Sequence, residues 1–115
     1  MAYPTNPKYK LVKNSMEGTV NAVKTDVKIP LLGFGGAPLG ELFKKVSLTQ
    51  AEDTLNKAYE EGIRYYDTAP LYGLGLSETR LNRFLRDKPR SDYILSTKVG
   101  RLMRPCSQFE RTGLG

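Results

Sequence analysis

Residues 47–69 read "SLTQAEDTLNKAYEEGIRYYDTA", and the fold class turns on them. Ser47 and Gln50 stand at the spacing of a capping box, in which each side chain accepts the other residue's backbone N–H at a helix start. Ala51, Leu55, Ala58 and Tyr59 then recur at helical spacing, and Gly62 is a natural stop. The pattern predicts a helix over roughly 48–61. After the glycine, "IRYYDTA" (63–69) is short and rich in aromatics, which suits a strand.

The same alternation continues on both sides. "LLGFGG" (31–36) reads as a short buried strand that Pro38 and Gly40 break. "PLYGLGL" (70–76) is loop. Ser77 is expected to cap a second helix, with Leu76 and Leu81 as its hydrophobic staple. Leu81, Phe84 and Leu85 form the apolar stripe of that helix, and Pro89 ends it. "DYILSTKVG" (92–100) is a third strand, and 101–115 reads as loop. Upstream, "GTVNAVKTDVKI" (18–29) suggests two short strands around a Lys-Thr-Asp turn. The chain thus divides into an N-terminal arm, 1–29, with a possible β-hairpin, and a portion over 30–115 ordered strand, helix, strand, helix, strand. Both crossovers hold a helix, as neighbouring parallel strands require, so the fold class is α/β. Two helices cannot cover both faces of a parallel sheet, and both sheet edges would be open. The chain reads as the start of something larger.

Composition narrows the chemistry. The 115 residues suit one small domain, and the single cysteine, Cys106, permits no internal disulfide. There is no histidine, so Ser-His-Asp and Cys-His sites and imidazole zinc sites cannot be built from this chain. No metal site is expected. The N-terminus lacks the apolar core of a signal peptide, and no apolar run approaches membrane-spanning length. A cytoplasmic protein with no membrane partner is the expectation. The net charge of +6 draws attention to Arg80, Arg83, Arg86, Lys88 and Arg90. A solvated helix face explains that cluster better than a nucleic-acid surface, because no aromatic platform accompanies it. "GFGGAPLG" (33–40) and "GLGLSE" (73–78) fail the dinucleotide fingerprint, since Pro38 and Glu78 stand where a third glycine is needed.

The chemistry converges at one rim. In parallel strands all C-terminal ends point the same way, which places Asp67 near the end of one strand and Lys98 near the end of the next. Adjacent strands lie about 4.8 Å apart, so the lysine can reach the carboxylate next door. Tyr72 hangs over the same rim from the following loop. A period of two sets Tyr65, Asp67 and Ala69 on one face, and likewise Ile94, Ser96 and Lys98. A nearby ammonium favours the phenolate form of a tyrosine, and the carboxylate keeps that ammonium charged and in place. Together the three groups make a general acid–base suited to an alcohol/carbonyl couple. Each residue alone has a plainer explanation: a turn for Asp67, packing for Tyr72, solvent for Lys98.

"LGFGGAPLG", "GIRYYDTAPLYGLGLSE" and "YILSTKVGRL" resemble the N-terminal part of the aldo-keto reductase superfamily, over about residues 30–103. The wording of "GLGLSE" and "STKVGRL" is most similar to its aldose dehydrogenase branch, the D-threo-aldose, L-fucose and L-galactose 1-dehydrogenase type. The resemblance implies the N-terminal β-α-β-α-β portion of an incomplete (β/α)8 TIM barrel, since a whole barrel takes about 250 residues. It implies an NADP- or NAD-dependent oxidoreductase that takes a sugar to a lactone or reduces a carbonyl. Asp67, Tyr72 and Lys98 match three members of the family's catalytic tetrad, and the tetrad histidine would lie on a fourth strand. Gly36, Ala37 and Asp67 would lie near the cofactor, and residues 19–29 would be the hairpin that plugs the barrel floor in the family, although the arm itself matches the family poorly. This chain alone is expected to be inactive. The alternative is a non-catalytic aldo-keto reductase-like interaction module.

Overall fold

A computed structural model describes residues 18–22 and 24–105. Cys106 and the segment that follows it lie outside the described residues, as does most of the N-terminal arm.

The helix expected over 48–61 forms as its end signals dictate. In α1 (Leu48–Glu60), the Ser47 hydroxyl accepts the Gln50 N–H at 3.1 Å, and the Gln50 side chain accepts the Ser47 N–H at 3.0 Å. At the other end Gly62 takes a φ of +91°. That conformation lets Gly62 N–H reach the Tyr59 carbonyl and Ile63 N–H reach that of Ala58, at 3.1 and 2.9 Å. This pair of bonds is the Schellman motif, which favours glycine at its left-handed position.

Three strands form a parallel sheet in sequence order: β3 (Phe34–Gly35), β4 (Tyr65–Asp67) and β5 (Ile94–Ser96). Phe34 pairs with Tyr66, and Asp67 pairs with both Gly35 and Ser96. Ahead of them β1 (Thr19–Asn21) and β2 (Lys28–Pro30) make an antiparallel hairpin in register Val20 to Ile29.

Each parallel strand is shorter than its apolar run. Leu31 and Leu32 are exposed rather than buried in a strand, and Asp92 belongs to a 3-10 turn over Arg90–Asp92. The reason is that, among the described residues, β3 and β5 are the sheet edges. Only the side facing β4 has a ladder to extend, so residues beyond it gain nothing from an extended backbone.

α2 (Leu76–Leu85) departs from expectation at both ends. Its N-cap is Gly75, at φ +94°, and not Ser77, so the Leu76–Leu81 staple around a serine cap does not arise. It also stops at Leu85, short of Pro89. Ser77 lies inside the first turn and is fully buried.

Both helices cover one face of the sheet, where Tyr66 is fully buried among Leu39, Leu55, Leu81, Phe84 and Leu85. Phe84 meets Tyr66 at a centroid distance of 6.3 Å and Tyr59 edge-on at 6.0 Å, within the range of favourable aromatic contacts. The opposite face, carrying Tyr65, Asp67 and Ser96, has no helix on it among the described residues.

The basic cluster is absorbed by internal contacts. Arg80 donates to the carbonyls of Leu39 and Val46, both at 2.7 Å, and pairs with Glu41. Arg83 pairs with Glu52 and Arg86 lies 3.7 Å from Asp87. Lys88 sits over the Tyr59 and Phe84 rings and Arg90 over that of Tyr93. No helix of the described residues is long and apolar enough to cross a membrane, and they hold no cluster of metal-ligating side chains.

Candidate active site

The parallel ladder builds the site. Because Asp67 and Ser96 are register partners, their side chains leave the same face of adjacent strands. Ser96 Oγ donates to Asp67 Oδ1 at 2.6 Å. Lys98, just past the end of β5, donates to Asp67 Oδ2 at 2.7 Å and to the Thr68 carbonyl at 3.0 Å. Its ammonium lies 4.9 Å from the centroid of the Tyr72 ring. Asp67, Tyr72 and Lys98 thus meet at the C-terminal rim.

The charges follow from this arrangement. The bond from Lys98, then that from Ser96, holds the Asp67 carboxyl below its ordinary range. The bond to Asp67, with a smaller contribution from the Tyr72 phenol, holds the Lys98 ammonium above its ordinary value. Both side chains remain partly solvated, at 38% and 49% exposure, so water screens the pair and its worth to stability is small. It keeps an ammonium beside a phenol. A cleft of about 230 Å³ opens next to them, lined by Pro70, Leu71, Tyr72, Lys98, Val99 and Arg101.

Tyr72 is aimed by its backbone. The loop from Tyr72 to Gly75 holds Gly73, Leu74 and Gly75 at φ +67°, +54° and +94°. Gly40, which ends the 3-10 turn over Ala37–Gly40, packs against the Tyr72 carbonyl and Gly73 so closely that neither glycine has room for a Cβ. The turn after β3 and the loop after β4 therefore fit as one unit.

Gly36 and Ala37 lie beneath the rim. Gly36 is buried, its N–H donates to the Asp67 carbonyl at 2.7 Å and its carbonyl accepts from Ser77 Oγ at 2.7 Å. Its hydrogen-bonding groups are engaged within the protein, so it offers a ligand only close approach. Half-buried Ala37 opens the 3-10 turn. The polar groups at the rim suit the hydroxyls and carboxamide of a nicotinamide nucleotide. None of those side chains can itself accept or give a hydride, which is the capacity such a cofactor brings.

Two residues were not foreseen as parts of the site. Ser96 shares a face with Lys98 in the period-two reading, but its bond to Asp67 depends on register. Ser77 bonds to Gly36, 41 residues away, at 2.7 Å and to Thr68 Oγ1, nine residues away, at 2.8 Å.

The sequence model of the aldo/keto reductase family matches residues 31–114. A D-threo-aldose 1-dehydrogenase of Pseudomonas sp. is 50% identical over 93 residues, which take in 81% of this chain and 28% of that protein. The L-galactose dehydrogenase of Arabidopsis thaliana is 44% identical over 79 residues, covering 67% of this chain and 25% of that protein. Among solved structures, an aldo-keto reductase from Bacillus halodurans superimposes with a TM-score of 0.62 at 35% identity, over 71% of this chain and 26% of that one. The chain therefore spans about a quarter of the length of these relatives. β3-α1-β4-α2-β5 is the N-terminal portion of the (β/α)8 barrel that they share. Because the match runs through every element from β3 to β5, the chain belongs to the aldo/keto reductase family.

Proposed function

We propose that this chain supplies the proton-handling half of an NAD(P)-dependent oxidoreductase acting on the CH–OH group of an aldose, taking the sugar to its lactone, or reducing a carbonyl in the reverse sense. The observation that carries the reading is the Lys98 ammonium, bonded to Asp67 at 2.7 Å and 4.9 Å from the Tyr72 ring centroid. The names of the relatives point to an aldose as the substrate class.

In this reading Tyr72 is the catalytic acid–base. In oxidation its phenolate oxygen takes the proton of the substrate hydroxyl, and in reduction its O–H returns that proton to the carbonyl oxygen. Lys98 offsets the charge of the phenolate, and Asp67 holds Lys98 charged and aimed. The nicotinamide supplies the acceptor or donor of the hydride. The backbone at Gly36 and Ala37, with Asp67, lines the side on which that nucleotide approaches. The cleft beside Tyr72 and Lys98 receives the sugar, with Arg101 available to its hydroxyls and Leu71 and Val99 to its ring carbons.

The described residues hold three strands of such a barrel, so the 115-residue chain by itself binds nicotinamide nucleotide weakly and turns over nothing. Assayed alone with NAD+ or NADP+ and D-threo-aldoses or L-galactose, it is expected to match its Tyr72→Phe variant, and turnover above that variant would overturn the inactivity. The role of Tyr72 is tested by placing residues 18–105 in the corresponding portion of the Pseudomonas relative. Aldose oxidation is expected there, falling about 10²- to 10⁴-fold in Tyr72→Phe. An unchanged rate removes Tyr72 from the chemistry. The edges of β3 and β5, open among the described residues, with Leu95 exposed on the helix side, favour as a second reading a non-catalytic module that pairs with a partner strand. One stoichiometric partner co-purifying with the chain would support it.

A further inference from the structure

We propose that Ser96, backed by Tyr65, is a positioning residue for the Asp67–Lys98 pair. A short hydroxyl wire fixes the rotation of the carboxylate so that its free oxygen faces the ammonium. The inference rests on the acid–base reading of this rim and adds to it the groups that aim it.

Proton bookkeeping fixes the direction of the wire. An ionised carboxylate only accepts, so the 2.6 Å contact to Asp67 Oδ1 is donated by Ser96. A serine hydroxyl has one proton, now spent. In the 3.1 Å contact between Tyr65 Oη and Ser96 Oγ, the phenol must therefore be the donor. The order is Tyr65 O–H to Ser96 O–H to Asp67, with every dipole pointing toward the negative charge. Bonds arranged this way reinforce one another, and the bond that ends on the charge is the short one, as charge-assisted bonds are.

The wire is built on strands, whereas its target is not. Tyr65, Asp67 and Ser96 sit in the β4–β5 ladder, with Asp67 opposite Ser96 and Tyr65 two residues earlier on the same face. Lys98 lies beyond β5, its side chain about half exposed, so its direction is set by its acceptors, Asp67 Oδ2 and the Thr68 carbonyl. If the carboxylate turns, one of the two is lost. The titratable groups that bear on Asp67 are Lys98 from the segment after β5, Tyr65 from its own strand, and Tyr72 across the ammonium from the loop after β4.

The test is a carboxyl-detected NMR titration of Asp67 in the 115-residue chain. Ser96→Ala is expected to move the Asp67 midpoint up by about one pH unit, and Tyr65→Phe to move it up by less. Ser96→Thr keeps a hydroxyl on a strand position and is expected to restore the original midpoint. In Ser96→Ala the Lys98 ammonium protons should also exchange severalfold faster with water. Unmoved midpoints in both Ser96→Ala and Tyr65→Phe, with the β4–β5 amide signals intact, would overturn the inference, as would a rise that Ser96→Thr leaves in place. If Ser96→Ala does not fold, Tyr65→Phe decides, because it removes one oxygen and keeps the ring. The titration reads a carboxyl and not turnover. An inactive chimera would defeat the catalytic reading and leave this result standing.

Discussion

Removing the Ser77 hydroxyl should cost the fold more than its single atom suggests. Ser77 Oγ donates to the Gly36 carbonyl at 2.7 Å and contacts Thr68 Oγ1 at 2.8 Å, with Ser77 and Thr68 exposed by 0% and 2%. Since the serine proton goes to Gly36, Thr68 is the donor in the second bond. Ser77→Ala therefore removes one of two bonds to the Gly36 carbonyl, which keeps the Leu39 N–H at 3.0 Å, and strands the buried Thr68 hydroxyl. A net hydrogen bond contributes about 1 kcal/mol, and an orphaned buried partner costs about 1–3 kcal/mol, so the pair comes to about 2–4 kcal/mol. For a domain of this size each kcal/mol moves the melting midpoint by roughly 4–8 °C, and the lower bound alone predicts a drop of about 8–16 °C. The assay is thermal unfolding of the 115-residue chain followed by far-ultraviolet circular dichroism, run as a double-mutant cycle with Thr68→Val. Thr68→Val alone should be milder, because Ser77 keeps its bond to Gly36. In the double variant the stranded threonine hydroxyl is gone, so the combined loss should fall short of the sum of the single losses. A Ser77→Ala midpoint within about 1 °C of the parent would refute the reasoning, since it would mean that water or a shifted backbone had satisfied the Thr68 hydroxyl.

Two further outcomes follow from the same contacts. Gly40→Ala puts a Cβ into the Tyr72 carbonyl and the Gly73 nitrogen, so it should cost about 1–3 kcal/mol in denaturant unfolding. It should also shift the amide signals of residues 72–75, and unshifted signals would show that the two loops are independent. Tyr66 supplies a pH dependence. Burial pushes its phenol up to about 12, and its O–H donates to the Ile63 carbonyl at 3.0 Å. A folded value above the unfolded one, near 10, means that the buried neutral phenol stabilises fully below about pH 10. That contribution fades as the pH rises toward about 12, because the unfolded chain ionises first. Equilibrium unfolding measured from pH 9 to 12 should show a steeper alkaline loss in the parent than in Tyr66→Phe, and equal slopes would remove Tyr66 as the cause.

What could be read in advance divides by the range of the interaction. The Ser47–Gln50 box and the Gly62 stop involve neighbours in sequence, so residue identities alone reveal them. The meeting of Asp67 with Lys98 was legible for a different reason: parallel strands share a direction, and a period of two assigns faces. Strand lengths were overread, because an apolar run such as 31–36 records what the segment can bury, while the ladder length depends on which neighbour is present. Ser77 was misread because serine before a helical stripe is the ordinary sign of a cap. Here the left-handed Gly75 ends the loop instead, and the partners of Ser77, at Gly36 and Thr68, become visible only in three dimensions. Arg80 hid in the same way. Counted as charge it belonged to a cluster, whereas three of its donors go to two backbone carbonyls and Glu41.

That arginine has an engineering consequence. By gripping the carbonyls of Leu39 and Val46 it clamps both ends of the excursion between them to α2, while the tip, where Phe43 is 75% exposed, touches little. A span anchored at its roots and loose at its crown is a natural graft point. A reporter dye, an epitope or a longer insert can be carried at residues 42–44 with the rim left undisturbed. Lysine in place of Arg80 would forfeit that freedom, because one compact ammonium has no planar fork to hold both roots.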